Sequence, residues 1–165
     1  MRTLLCLDGF NTERLAQWVF QCLNMQDIRF VLLHVVDTGP SHDLECLRQR
    51  FVGMGERGAR LLAEMMQAEQ EQGNEVLAAA QAALTERWPG GASGPDQMEG
   101  VTLRGNPEHE IVRAASAMSI DLILVCARRS RQPGEPPHPP GPKSVGHTAR
   151  FVLDHAPCPV LLIRP

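Results

Sequence analysis

Residues 121–165 read DLILVCARRSRQPGEPPHPPGPKSVGHTARFVLDHAPCPVLLIRP. The segment begins with an apolar run (121–126) and continues through a loop rich in proline, glycine and positive charge. It ends with an amphipathic segment (146–155) and a second apolar run (160–163), so the order predicts strand, loop, helix and strand. In open α/β sheets, anions and nucleotides bind where a loop leads from a strand into a helix N-terminus. The loop between 127 and 146 is therefore a candidate binding site.

Three further apolar runs predict strands earlier in the chain, at 3–7, 28–36 and 98–103. The first two are apolar nearly throughout, as expected for strands that are covered on both faces of a parallel sheet. His34 interrupts the second run. We interpret it as a hydrogen-bonded structural residue, because no partner at metal-ligand spacing accompanies it.

Apolar residues at helical spacing predict helices between these strands. Either Asn11 or Thr12 can cap the first helix. The region 56–88 is predicted to be one long helix with a weak middle near Gly73, or two helices in tandem.

The next predicted helix has clear start signals. Asn106 can cap it and Pro107 stands at its first position, with Glu108 and Glu110 in its first turn, where acidic residues interact favourably with the helix dipole. Strand and helix therefore alternate along the chain. This alternation predicts an α/β fold with a parallel sheet and helices on both of its faces.

Bulk composition excludes several classes of protein. The chain has 165 residues and a net charge of -3 without any block of like charges, so we expect no nucleic-acid binding and no anionic membrane partner. Its five cysteines are scattered, which argues against a disulfide framework and a zinc site. The apolar run near the N-terminus is too short for a signal peptide or a membrane span. We expect one cytoplasmic domain over 1–165, with a proline-rich insertion at about 132–142.

Four segments together resemble the universal stress protein family. RTLLCLDGFNTERLAQWVF (2–20) is similar to the family's first strand, aspartate and first helix, and LLHVVD (32–37) is similar to its second strand. LRGNPEHEIVRAASAMSIDLILV (103–125) resembles the third-strand end, the Gly-x-Pro turn, the helix and the fourth strand. HAPCPVLLIRP (155–165) resembles the C-terminal strand segment and is the most specific of the four.

The resemblance implies a Rossmann-like open five-stranded parallel sheet with strand order 3-2-1-4-5. It also implies a homodimer through the C-terminal strand, formed by Val160, Leu161, Leu162 and Ile163. In the family's nucleotide-binding branch it further implies a site for ATP or AMP, with or without magnesium.

That branch is marked by Gly-x-x-Gly, about nine further residues, and then Gly followed by Ser or Thr, because glycines let backbone amides approach phosphates. Here Ala127 and Ser130 stand at the first two glycines, and Gly146 is kept at the third. His147 occupies the hydroxyl position and Thr148 follows it. The lost glycines weaken the site, by about 1 kcal/mol each if the backbone needs positive φ.

Other positions support a nucleotide site. Asp8 matches the family's aspartate near the adenosine, and Val35 matches its adenine-contacting position. Arg128, with Arg129, Arg131 and Lys143, adds positive charge that can hold phosphates or simply be solvated. The predicted cofactor-binding residues are thus Asp8, Val35, Ala127, Arg128, Ser130, Gly146, His147 and Thr148.

Three functions remain open at this point. The first is a stress-response regulatory module that binds ATP or AMP weakly. The second is a family member without nucleotide that acts as a dimeric scaffold for an unknown protein partner. The third is an enzyme, at most a weak ATPase, because LDGFNTE lacks the Ser-Gly-Gly-x-Asp-Ser loop of a related nucleotide hydrolase and no catalytic signature is present.

Overall fold

A computed structural model describes residues 1–23, 27–38, 55–88, 97–127 and 144–164. The predicted strands and helices within these ranges are all present, with bounds that differ by a residue or two at most of their ends. They are β1 Arg2–Leu7, α1 Thr12–Cys22, β2 Arg29–Asp37, α2 Gly55–Glu86, β3 Met98–Gly105, α3 Pro107–Ala117, β4 Leu122–Cys126, α4 His147–His155 and β5 Val160–Ile163. The proline-rich insertion at 132–142 lies outside the described residues.

The strands of the described ranges form one parallel sheet in the order β3-β2-β1-β4-β5. The central strand is β1, in which Leu4 lies opposite Val31 of β2 on one side and Ile123 of β4 on the other. This confirms the predicted α/β fold and strand order. The chain leaves β1 toward β2 and later returns to β4 on the opposite side, so the strand order reverses at the carboxyl end of β1.

Two apolar cores cover the two faces of this sheet. Side chains alternate between faces along a strand. Leu5 and Leu32 therefore pack with α1 and α2, whereas Leu4 and Val31 pack with α3 and α4. Helices lie on both faces, as predicted, and this burial explains why the strands are apolar nearly throughout. Within the described ranges, no helix is long and apolar enough to cross a membrane.

Helix α2 is continuous from Gly55 to Glu86, which decides between the two alternatives for this region. At 32 residues it is about 48 Å long. Gly73 is buried within it, and a Cβ there would lie 3.2 Å from both His34 Cδ2 and Thr102 Cγ2. The glycine therefore marks the point where α2 approaches β2 and β3 closely, instead of a weak middle.

We predict that Gly73→Leu destabilises the protein by about 1–3 kcal/mol, because the added side chain overfills this contact. The matched control is Ala78→Leu, an exposed position on the same helix, which should change stability by less than about 0.5 kcal/mol. Urea denaturation followed by circular dichroism measures both. Equal stability of the two variants would show that the close approach at Gly73 is unimportant.

Candidate functional site

A cavity of about 570 Å³ opens at the carboxyl edge of the sheet, beside the point where the strand order reverses. This size falls within the usual range for a small-molecule site. Five of the predicted binding residues line it together, namely Asp8, Val35, Gly146, His147 and Thr148. They come from three distant parts of the sequence, and the sheet topology brings them to one edge.

Of the three remaining predicted binding residues, the structure describes only Ala127. Ala127 is buried and does not line the cavity. Its backbone N–H donates to the carbonyl oxygen of Ile163 at 2.8 Å, which continues the pairing of β4 with β5. That amide is therefore already engaged within the protein. Arg128 and Ser130 lie outside the described residues.

Asn11 holds Asp8 in place at the end of β1. It is buried, with 4% of its surface exposed. Its Nδ2 donates to the carbonyl oxygen of Cys6 at 2.8 Å, and its Oδ1 accepts from the backbone N–H of Asp8 at 3.1 Å. The Asp8 carboxylate in turn accepts from the backbone N–H of Phe10 at 2.8 Å. We expected Asn11 or Thr12 to cap α1 with its side chain, but Asn11 occupies the N-cap position without a side-chain capping bond.

The start of α4 forms the opposite wall of the cavity. Gly146 has φ of 92°, a backbone conformation that favours glycine, and it provides no side chain to cap the helix. Helix N-termini leave their first backbone N–H groups without intrahelical partners, and these groups attract anions. His147, Thr148 and Ala149 of the first turn all line the cavity.

Glu108 was not predicted to belong to the site, but it contacts one of the predicted residues. It lies in the first turn of α3, and its side chain is only 11% exposed. Its Oε2 is 2.8 Å from Nε2 of His147, whereas its Oε1 is 4.0 Å from Nε2 of His109. The sequence predicted only a favourable interaction of Glu108 with the helix dipole. No local pattern in the sequence indicated the contact with His147, because it depends on how α3 packs against α4.

Charged and polarisable groups line the rest of the cavity. Asp37 lies at the end of β2, and His34 has its Nδ1 3.1 Å from the carbonyl oxygen of Leu7, which supports the structural role inferred from the sequence. Cys6 and Cys126 also line the cavity. Burial, with a smaller contribution from Cys126, raises the pKa of the Cys6 thiol far above its usual range, so Cys6 stays protonated.

Two kinds of group are missing from the part of the cavity that the structure describes. None of its lining residues is a lysine or an arginine. Nor do three or more His, Cys, Asp or Glu side chains come together to hold a metal ion anywhere in the described ranges. The described lining thus combines carboxylates from the ends of β1 and β2 with the first turn of α4.

A model of the universal stress protein family matches residues 1–164 of this sequence. The chain belongs to this family. No curated protein sequence matched the chain at a significant level.

Solved structures of universal stress proteins have the same fold. Universal stress protein UspA from Lactobacillus plantarum is 23% identical, with a TM-score of 0.63 over 99% of this chain and 97% of that one. A universal stress protein family protein from Arabidopsis thaliana, solved with AMP bound, is 16% identical, with a TM-score of 0.61 over 99% and 91%. A family protein from Burkholderia pseudomallei is 23% identical, with a TM-score of 0.57 over 98% and 94%. At these identities the likeness establishes the fold.

We predict that Asn11→Ala destabilises this universal stress protein by about 1–3 kcal/mol, because it leaves the Cys6 carbonyl and the Asp8 amide without their partner. Asn74→Ala is the control, since Asn74 is exposed and makes only a 3.3 Å contact with Gln70. Thermal unfolding monitored by circular dichroism compares the two. A loss no larger in Asn11→Ala than in the control would argue against the role assigned to Asn11.

Proposed function

We propose that this protein is a dimeric stress-response regulatory module that binds an adenine nucleotide, AMP or ATP, weakly in the cavity at the carboxyl edge of the sheet. One observation carries the proposal. The cavity is lined by five of the eight residues that the resemblance to the family marks as nucleotide-binding, namely Asp8, Val35, Gly146, His147 and Thr148.

The shape of the cavity is consistent with a nucleotide that lies across it. Asp8 and Val35 would hold the adenosine end, where a carboxylate accepts hydrogen bonds from hydroxyl or amino groups. The first turn of α4 after Gly146 would receive the phosphate end, because backbone amides at a helix start bind anions. The Arabidopsis thaliana relative was solved with AMP bound, which supports an adenine nucleotide as the ligand class.

Several features favour weak binding. Alanine and serine replace the first two glycines of the phosphate-binding motif, and the Ala127 amide is already bonded to Ile163. Among the described residues that line the cavity there is no lysine or arginine to pair with a phosphate. We therefore expect a Kd of about 0.1–1 mM, equivalent to about −5 to −4 kcal/mol.

Isothermal titration calorimetry with AMP and with ATP, each with and without magnesium, tests this proposal. Asp8→Ala should weaken binding about tenfold through the loss of one charged hydrogen bond. Asp154→Ala, an exposed position on the outer part of α4, should leave binding unchanged. If millimolar nucleotide produces no heat of binding and no thermal shift, the binding proposal is overturned and the nucleotide-free scaffold is favoured. ATP turnover well above background and lost in Asp8→Ala would instead indicate an enzyme.

Dimerisation is proposed to occur through β5. Among the described strands, β5 pairs only with β4 and so forms one edge of the sheet. Val160, Leu161 and Leu162 are half-buried there, which leaves apolar surface for a second copy. Ile163, which was also predicted for this interface, is instead 2% exposed and packs in the core.

We predict that Val160→Lys converts the dimer into an 18.2 kDa monomer in analytical ultracentrifugation, because a charge at this edge opposes apolar association. Val101→Lys makes the same change at a half-buried position of β3, the opposite edge strand, and should remain dimeric. Cooperative thermal unfolding of both variants checks that they are folded. A sedimentation coefficient of Val160→Lys equal to that of the parent would count against the β5 interface.

A further inference from the structure

We infer that the Glu108 carboxylate, which contacts His147 at 2.8 Å, makes the phosphate end of the cavity selective against highly charged ligands. The site then takes adenosine or AMP in preference to ADP and ATP, and Glu108 sets this preference. The inference rests on the proposed function, because it names the ligand that the same cavity would accept.

The Glu108 carboxylate does not line the cavity itself, but it contacts His147, which does. His147 is the first residue of α4, and its Nε2 lies 2.8 Å from Glu108 Oε2. A phosphate bound by the first-turn amides would lie beside this imidazole and close to the carboxylate behind it. Glu108 thus places a carboxylate at hydrogen-bond distance from the lining residue that begins α4.

Breaking the contact between Glu108 and His147, so that His147 could bind the ligand, would also be unfavourable in free energy. The His147 side chain is 81% exposed and can turn, whereas the Glu108 side chain is 11% exposed and enclosed by the protein. A buried carboxylate that loses its ionic partner is strongly unfavourable. His109 cannot replace that partner at its present distance of 4.0 Å from Oε1. The contact between Glu108 and His147 therefore resists opening.

The titratable oxygen and nitrogen groups of the described lining are carboxylates and imidazoles. Asp8 and Asp37 are the acidic residues of the described lining, while its basic groups are the imidazoles of His34 and His147. Arg14 of α1 has its Nη1 3.4 Å from the carbonyl oxygen of Ala127 and is not part of the lining. Repulsion from fixed carboxylates grows with the charge of the ligand. It is absent for adenosine, moderate for the single phosphate of AMP, and largest for ATP.

The experiment measures the Kd of adenosine, AMP, ADP and ATP by calorimetry in magnesium-free buffer, for the parent protein and for Glu108→Gln. In the parent, we expect ATP to bind about tenfold more weakly than AMP, and adenosine to bind at least as well as AMP. Glu108→Gln keeps the shape of the side chain but removes its charge. It should improve ATP binding about tenfold, AMP binding by less, and adenosine binding not at all.

Two further variants separate this effect from general ones. Glu99→Gln makes the same charge change near the amino-terminal end of β3, where Glu99 pairs with Arg2 at 3.2 Å, and should leave all four constants unchanged. His147→Ser changes an exposed side chain and leaves Glu108 without its partner. Relative to adenosine binding, ATP binding should be about threefold weaker than in the parent protein. This variant provides a test even if Glu108→Gln fails to fold.

The outcomes distinguish the inference from the proposed function. Tightest binding of ATP by the parent would overturn the inference while the proposed function stands. An equal effect of Glu108→Gln on adenosine and on ATP would overturn it as well. Failure of all four ligands to bind would overturn the proposed function and this inference with it.

Discussion

The position of β1 between β2 and β4 governs where the other elements lie. Parallel pairing on both sides means that all three strands end at the same edge, and the reversal of strand order leaves a crevice there. The four crossover helices then cover opposite faces, so that α1 and α2 share one core and α3 and α4 share the other. The cavity is thus a consequence of topology, and individual side chains determine only what it can hold.

Most of the fold could be predicted because burial on both faces leaves a strong signal in the sequence. Strands of a covered parallel sheet are apolar almost throughout, and helix signals separate them. The Asn106 cap is an example, since its Oδ1 accepts from the backbone N–H of Glu108 at 3.1 Å, as predicted. Gly73 could not be interpreted in this way, because its role depends on His34 and Thr102, which are distant in sequence.

The site was less predictable than the fold, because its contacts join residues that are distant in the sequence. Local patterns indicated where Asp8 and Gly146 should lie, because each follows or precedes a regular element. Partners across the cavity leave no local pattern. Asn11 has the sequence position of a helix cap, but its side chain hydrogen-bonds to the Cys6 carbonyl and the Asp8 amide at the end of β1. Glu108 carries the ordinary signal of a first-turn acid, and its pairing with His147 depends on how α3 and α4 pack. A shared fold therefore does not fix the ligand, since recognition depends on a few side chains.

The turn that follows β1 has a further consequence. Three hydrogen bonds among Cys6, Asp8, Phe10 and Asn11 fix this short segment, and the buried Asn11 contributes two of them. The Asp8 carboxylate is consequently oriented before any molecule enters the cavity. A ligand that contacts it does not have to immobilise a freely rotating side chain, which would otherwise oppose binding through the loss of conformational entropy. For the proposed nucleotide, this preorganisation would give a defined orientation even where few contacts are made.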